Sequence, residues 1–292
     1  MRISARSFFA EPARRRLRLG LFAGLAVVPP LLGLGYALAY SLGLVGALAT
    51  GFTGEHWAKL LRTSDVTRAL GFSLAVAAVT VALATTLALG LSLALRRALG
   101  RGLGATALFV PLALPGVVAA LIGFQFLGGA GVLGRLAWHF GWIASPQEFP
   151  ALIFDRYGLG IVIAHTALAV PLLMLLFARF HATERIDEFA ALARTLGANR
   201  LAVLRRVTLP LLLRRAAPSL SLLFAGVFGA YEIPLLLGAQ RPEMISILAR
   251  RKFALFDLHQ RPEAFLIAVI YAAIVLTLVW IAFRKQPPAH VA

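Results

Sequence analysis

Long apolar runs alternate with short polar connections along this chain. Six runs are each long enough to cross a bilayer as a helix, which takes about 20 mainly apolar residues. The predicted spans are residues 19–42, 70–95, 105–127, 159–180, 216–237 and 264–283. None of the six has the sustained alternation of polar and apolar residues that a membrane strand requires. The pattern therefore predicts an all-α polytopic membrane protein with six transmembrane helices.

The first run follows an arginine-rich start, so a cleavable signal peptide is one interpretation of it. The apolar part of a signal peptide is about 7–15 residues long, and the run at 19–42 is clearly longer. We therefore expect an uncleaved first helix.

Composition agrees with a membrane location. Hydrophobic residues make up 60% of the chain and charged residues 14%, whereas soluble domains have about 45–50% and about 25%. A soluble domain could not cover so much apolar surface with so few charges. The absence of cysteine from the sequence also excludes thiolate metal ligands and cysteine nucleophiles.

The net charge of +17 is unevenly distributed between alternate connections. One set holds 19 Lys and Arg residues: the N-terminus, 96–104, 179–215 and the C-terminus. The other set holds 10: 43–69, 128–158 and 238–263. Because basic loops stay on the cytoplasmic side, we predict a basic cytoplasmic N-terminus at 1–18, a membrane domain at 19–283 and a cytoplasmic tail at 284–292. The excess charge is then a topology signal, and no nucleic-acid partner is expected.

The prolines that lie within the apolar runs include Pro111, Pro115, Pro171 and Pro234. Proline removes a backbone donor and bends or interrupts a helix. Membrane proteins tolerate such interruptions where neighbouring helices or a water-filled cavity satisfy the freed carbonyls. The prolines favour a bundle lined by irregular backbone, as in a transport path, although proline is also commoner in membrane helices generally.

The basic connection at about 181–215 has a helical pattern of its own. Thr183 or Asp187 is a candidate cap for its start, and Gly197 can take the left-handed conformation that ends a helix. The apolar residues of this helix form a stripe on the cytoplasmic side. Either the protein's own helix ends or a partner covers this stripe. The apolar residues at helical spacing are Ile186, Phe189, Ala190, Ala193 and Leu196.

A second short helix is predicted after this glycine. Asn199 is its candidate cap, and Pro210 marks the start of the fifth membrane helix. The segment as a whole resembles the EAA loop of the permease subunits of binding-protein-dependent ABC importers. The pattern of that family is E-A-A, three residues, Gly, nine residues, Ile, one residue and Leu-Pro.

The match to this pattern is specific at its glycine and at its Leu-Pro end. Nine residues separate Gly197 from V-T-L-P at 207–210, and Ala193 takes the second alanine position. The departure is at the front, where Ala191 replaces the glutamate of the family and Leu192 the first alanine. Asp187 and Glu188, one turn earlier, are candidates to supply the missing acid.

The resemblance implies a fold like that of type I ABC importer permeases, in the bacterial inner membrane, with both termini cytoplasmic. It implies four kinds of partner: a cytoplasmic ATPase dimer, a second permease subunit, a periplasmic solute-binding protein and the lipid bilayer. The loop then acts as the coupling helix that docks on the ATPase. The implied docking residues are Asp187, Glu188, Ala193, Arg194, Thr195, Leu196, Gly197, Ala198, Val207, Leu209 and Pro210.

No catalytic residue, metal site or cofactor is expected on this chain itself. A nucleotide-binding P-loop needs Gly-Lys-Ser/Thr, and the three lysines follow Ala58, Arg251 and Arg284. ATP and magnesium are therefore expected on the partner ATPase. The histidines show no spacing typical of metal ligands.

Glu232 is the only acid in the predicted spans, and a carboxylate there is costly unless it is paired or hydrated. One hypothesis is a cation-attracting site; the others are an ion pair with an arginine of a partner permease, or a position near the outer interface. Tyr231 is a candidate gate or interfacial aromatic residue. His165 and Gln125 are candidate pathway residues, with packing as the alternative for His165.

Within the family, the layout is similar to the branch that moves polyamines, iron(III), thiamine, phosphonates or sulfate. Glu232 makes a small polar or cationic solute such as a polyamine our expected substrate. The alternative function is a secondary transporter that uses Glu232 as a cation or proton relay. A membrane enzyme is disfavoured because the chain shows no cluster of acids, histidines or serines at one membrane face.

Overall fold

The computed structural model describes residues 6–46, 49, 51–95 and 106–284. Within these residues there is no β-strand, and six helical segments are long and apolar enough to cross a membrane. This confirms the predicted fold class. The six segments are Arg18–Ser41, Ser64–Ala94, Gly116–His139, Leu159–Thr183, Arg200–Phe228 and Leu258–Arg284. Of the predicted tail at 284–292, Arg284 ends the sixth of these segments, and residues 285–292 lie outside the described residues, as does the basic connection at 96–104.

Thirteen α-helices are named within the described residues. They are α1 (Arg6–Ser41), α2 (Glu55–Arg62), α3 (Ser64–Ala94), α4 (Phe109–Leu112), α5 (Gly116–Leu127), α6 (Val132–His139), α7 (Leu159–Thr183), α8 (Ile186–Thr195), α9 (Arg200–Val203), α10 (Leu209–Phe228), α11 (Glu232–Leu237), α12 (Ile245–Ala254) and α13 (Arg261–Arg284). Short 3₁₀ turns lie at Pro146–Glu148 and Leu258–Gln260, and one π-helical turn at Leu204–Thr208.

The chain divides into two compact units. The first consists of residues 1–62 and 249–273. Aromatic rings pack within it, with the centroids of Tyr40 and Phe265 4.4 Å apart, and Leu60 of α2 is fully buried. The second unit consists of residues 63–248 and 274–292 and contains helices α3 to α11.

The core of the second unit lies where α3, α7 and α10 pack together. Alanines on α3 and α7 allow the helices to approach closely, as small residues do in membrane bundles. Larger side chains such as Phe177 fill the remaining space. Ile186 of the short helix α8 also belongs to this core, which fixes α8 to the membrane helices. The core residues are Ala84, Ala88, Leu89, Ala169, Leu173, Met174, Phe177, Ile186, Leu212 and Ala216.

Two predicted spans are interrupted rather than continuous. The predicted helix at 105–127 is broken between α4 and α5, where Pro115 is extended (φ −60°, ψ 146°) and cannot donate a backbone hydrogen bond. The predicted helix at 216–237 ends at Phe228, and residues 229–231 separate it from α11. Its interruption therefore precedes Pro234, which lies within α11. Helix α7 continues through Pro171 without a break.

The sixth membrane helix begins earlier than predicted. Helix α13 starts at Arg261 rather than at residue 264, so its first turn contains Glu263. The described membrane-spanning segments contain two acids, Asp65 and Glu263, whereas Glu232 of α11 lies beyond Phe228, where the fifth segment ends. The prediction that Glu232 is the only acid in the spans is therefore wrong. The predicted boundary was too late because the apolar run begins only after the charged Glu263. Two lysines compensate this charge, so the helix can include it.

Candidate functional site

The connection from α7 to α10, residues 184–208, begins with an unusual backbone turn. Arg185 occupies the position before α8 in the left-handed conformation, with φ of +50°, and no side chain caps the helix. The prediction that Thr183 or Asp187 caps this helix is therefore wrong. The hydroxyl of Thr183 instead donates to the carbonyl of Arg179 at 3.0 Å, inside α7, while Asp187 lies within α8.

Ion pairs tie both ends of this connection to their surroundings. Arg215 Nε of α10 lies 2.9 Å from Glu184 Oε1, directly after α7. Within the turn, Arg185 Nε donates to Glu188 Oε1 at 2.7 Å. Asp187 Oδ2 lies 3.9 Å from Nδ1 of His181 near the end of α7. The two candidate acids at 187 and 188 are thus engaged by groups of this chain.

Helix α8 presents two different faces. Ile186 and Ala190 are buried against the second unit's core, whereas Phe189 is 52% exposed and Leu196 81% exposed. The single apolar stripe predicted for this helix is therefore divided between the protein's own core and the solvent. Leu192, not included in that stripe, is 59% exposed and joins the solvent-facing group.

The turn after α8 is the one that the sequence predicts. Gly197 has φ of +87°, and its N–H donates to the carbonyl of Arg194 at 2.9 Å. The N–H of Ala198 donates to the carbonyl of Ala193 at 3.0 Å, which completes a left-handed helix end. Asn199 Oδ1 accepts a hydrogen bond of 2.8 Å from the N–H of Ala202, so the predicted cap of the second helix is confirmed.

A groove of about 360 Å³ lies between α8 and the start of α10. Four of the candidate docking residues line it together: Ala193, Leu196, Val207 and Pro210. Arg194 and Thr195 are exposed on α8, and Leu209 packs against the second unit's core. The full lining is Phe189, Leu192, Ala193, Leu196, Arg206, Val207, Pro210, Leu211 and Arg214.

A second candidate site forms around the two interrupted helices. Glu232 is exposed in the first turn of α11, and a β-carbon placed on Gly116 would lie 3.6 Å from its Oε2. The carboxylate therefore lies beside the N-terminus of α5, where the helix dipole favours negative charge. His165 of α7 lies close enough to interact electrostatically with Glu232. Its Nδ1 is 3.0 Å from the carbonyl of Ile161.

Glu232 and His165 make no ion pair or hydrogen bond with each other, and Gln125 lies well away from Gly116 and Glu232. Gln125 lies on α5 more than two turns beyond Gly116, about 13 Å of helical rise away, with its side chain exposed. Tyr231 directly precedes α11 at the interruption and is half-buried.

A cavity of about 520 Å³ lies between α7 and α10, with His165 in its wall. The other ten residues of this wall were not predicted from the sequence, Ser219 and Gly226 of α10 among them. These two residues are seven positions apart, about two helical turns, so the sequence already places them on one face of α10. The full lining is His165, Leu168, Ala169, Leu172, Leu173, Leu176, Ser219, Leu222, Leu223, Gly226 and Val227.

The part of the chain that the structure describes contains no group of three or more His, Asp or Glu side chains arranged to hold a metal ion. Two features stand out among the described residues: an exposed apolar ridge on α8, formed by Phe189, Leu192 and Leu196, and the exposed carboxylate of Glu232 beside interrupted helices.

Comparisons with known proteins point to one family. The family model for the binding-protein-dependent transport system inner membrane component matches residues 86–286. A probable molybdenum ABC transporter permease protein of Haloferax volcanii is 31% identical over 131 residues, which are 44% of this chain and 43% of that protein. The aligned region thus spans less than half of that relative's length.

Two solved structures share the fold at 15% sequence identity. One is a bacterial alginate ABC transporter in complex with an alginate pentasaccharide-bound periplasmic protein, with a TM-score of 0.68 over 92% of this chain and 91% of that chain. The other is a bacterial ABC transporter involved in the import of the acidic polysaccharide alginate, with a TM-score of 0.65 over 95% and 97%.

Proposed function

Because the chain belongs to the family of inner membrane components of binding-protein-dependent transport systems, we propose that it is the permease subunit of an ABC importer. It forms the translocation path with a second permease subunit, a homo- or heterodimeric partner. A periplasmic solute-binding protein delivers the solute, and a separate cytoplasmic ATPase dimer drives transport. The chain lies in the inner membrane with both termini and α8 on the cytoplasmic side.

The apolar ridge of α8 carries this proposal. Phe189, Leu192 and Leu196 are exposed, although Ile186 on the same helix is fully buried in the protein's core. Burying a large apolar side chain stabilises a complex by about 1.5–3 kcal/mol. A helix that is held firmly on one side and uncovered on the other is suited to dock on a moving partner.

The connections at the base of α8 allow a displacement to reach the membrane helices. On one side Glu184 joins the end of α7 to Arg215 of α10. On the other side the chain passes through Gly197 and the short helix α9 directly into α10. A rigid-body movement of α8 therefore acts on α7 and α10 together. ATP can shift the equilibrium between the inward and outward states only by the difference between its affinities for the two states.

The cavity between α7 and α10, with His165 in its wall, and the carboxylate of Glu232 form the proposed path for a small polar solute. The exposed carboxylate of Glu232 keeps a cation such as a polyamine as our predicted cargo. Relatives named for molybdenum and for alginate are members with other cargo, so the family itself does not select a cation. The alternative, a secondary transporter with Glu232 as relay, needs no ATPase.

Reconstitution tests the proposal directly. The chain is co-purified with its permease and ATPase partners, inserted into vesicles and supplied with the solute-binding protein. We expect uptake that requires ATP and is stimulated by the loaded binding protein. Uptake that is driven by a proton gradient with this chain alone would overturn the importer and favour the secondary transporter.

The turn at Gly197 offers a sharper test of coupling. A β-carbon on Gly197 meets no atom within 4 Å, so a substitution acts through the backbone alone. We expect Gly197→Val to strain the left-handed turn by about 1–2 kcal/mol and to lower the ATPase activity that the loaded binding protein stimulates. Gly90→Val is the matched control, because Gly90 lies in helix α3 and also has open space around it. Normal stimulation in Gly197→Val would contradict the coupling role.

A further inference from the structure

The front of the coupling loop carries no acid at position 191. Ala191 stands at the position of the family's glutamate and is exposed on α8. The two nearest acids are engaged within this chain: Glu188 lies 2.7 Å from Arg185, and Asp187 lies 3.9 Å from His181. The loop therefore carries no carboxylate at position 191, and its two nearest acids are exposed but paired within this chain.

Positive charge dominates the same region instead. Residues 184–215 contain seven arginines and three carboxylates, a net charge of +4. Arg185 and Arg215 are paired with Glu188 and Glu184. The other five arginines are all exposed: Arg194, Arg200, Arg205, Arg206 and Arg214.

The groove beside α8 combines this charge with the apolar ridge. Arg206 and Arg214 line it together with Phe189 and Leu196. A partner that covers the ridge must also remove water from the guanidinium group of Arg206, which is costly unless a carboxylate meets it. A groove of about 360 Å³ admits protruding side chains of a protein, whereas a flat bilayer surface does not enter it.

We propose that the ATPase surface that receives α8 is acidic, with carboxylates that meet Arg194, Arg200 and Arg206. This inference rests on the proposed function and specifies the chemistry of its cytoplasmic partner. The apolar ridge supplies affinity, while the charges set orientation and association rate. In this contact the permease contributes the positive charges and the ATPase contributes the carboxylates. This is the reverse of a contact in which the permease contributes the acid.

Substitution at Ala191 gives a test in which the two polarities predict opposite signs. In the complete complex, reassembled from permease and ATPase, we expect Ala191→Glu to weaken ATPase binding by about threefold or more relative to Ala191→Gln. The two variants differ only in charge, so helix formation and size are matched. If Ala191→Glu binds the ATPase as tightly as Ala191→Gln, or more tightly, the acidic surface is overturned.

Removal of the arginines tests the same inference independently. We expect the triple change Arg194→Gln, Arg200→Gln and Arg206→Gln to weaken ATPase binding by about tenfold and to reduce its sensitivity to salt. Arg68→Gln, at an exposed arginine of α3, is the control and leaves binding unchanged. Equal salt sensitivity in the triple variant and the unmodified chain would overturn the proposal.

Anionic lipid is the competing partner for these arginines. Binding is therefore measured in nanodiscs of pure phosphatidylcholine and in nanodiscs that also contain phosphatidylglycerol. An effect of the triple change that appears only with phosphatidylglycerol would assign the arginines to lipid and overturn the acidic ATPase surface. Failure of any ATPase to assemble with the unmodified chain would overturn the proposed function itself, a result distinct from these.

Discussion

Glu263 and Glu232 both lie in the first turn of a helix in an apolar part of the chain, but their surroundings differ. Glu263 is 3% exposed and accepts from Lys252 Nζ at 2.5 Å, with Lys59 Nζ 3.2 Å away. Glu232 is exposed and lies beside the N-terminus of α5 and His165. One acid is neutralised by side chains of its own unit, whereas the other faces outward with weaker stabilisation.

This difference separates a structural acid from a functional candidate. A buried carboxylate must be paired within the chain, because an unpaired charge in an apolar surrounding is very costly. Glu263 meets this condition through two lysines that come from α2 and α12, and it joins three segments of the first unit. Glu232 retains an accessible carboxylate, so a solute or a partner subunit can still reach it.

The largest predicted effect is the loss of stability on changing Glu263 to Gln. The amide leaves Lys252, whose side chain is only 12% exposed, without its counter-ion. Breaking a buried ion pair from one side costs about 3–5 kcal/mol, so we expect a clearly lower midpoint of thermal unfolding for the detergent-solubilised protein. Glu55→Gln, at an exposed acid of α2, is the control. Equal midpoints for the two variants would mean that Glu263 is not a structural acid.

Glu232→Gln is expected to have the opposite profile. Unfolding should be nearly unchanged, because the side chain is exposed. If the cargo is a cation, its uptake in reconstituted vesicles should fall by about tenfold, the value of one charged hydrogen bond. Unchanged uptake together with lower stability would make Glu232 structural like Glu263 and remove the reason for a cationic cargo.

The apolar pattern was sufficient for the number of spans but not for the bounds of the third and fifth spans or for their interruptions. A run such as 216–237 remains apolar across the break at 229–231, since the residues that end α10 are themselves small or aromatic. Pro234 was the visible signal, yet proline is tolerated in the first turn of a helix, and there it stays within α11. Whether a proline interrupts a helix depends on neighbours that a single segment does not contain.

The α8 loop was predictable where chemistry is local and unpredictable where it is tertiary. Gly197 and Asn199 act through neighbours within a few residues, so the sequence was sufficient to predict the turn at Gly197 and the helix cap at Asn199. The division of α8 into a buried and an exposed face depends on where the distant helices α3 and α10 pass. The pairing of Glu263 with Lys59 joins residues 204 positions apart in the sequence, which no local pattern reveals.

The smallest predicted effect belongs to Lys59, the outer partner of Glu263. Its side chain is 65% exposed, so water and salt already screen its charge. An exposed ion pair contributes about 0–1 kcal/mol, and we expect Lys59→Gln to lower the unfolding midpoint far less than Glu263→Gln. In Lys59→Gln the side chain of Lys252 still neutralises Glu263. The unfolding midpoints of the two variants are compared in the same detergent and salt. If Lys59→Gln destabilised the protein as much as Glu263→Gln, the carboxylate would require both lysines, and burial alone would not explain how it is held.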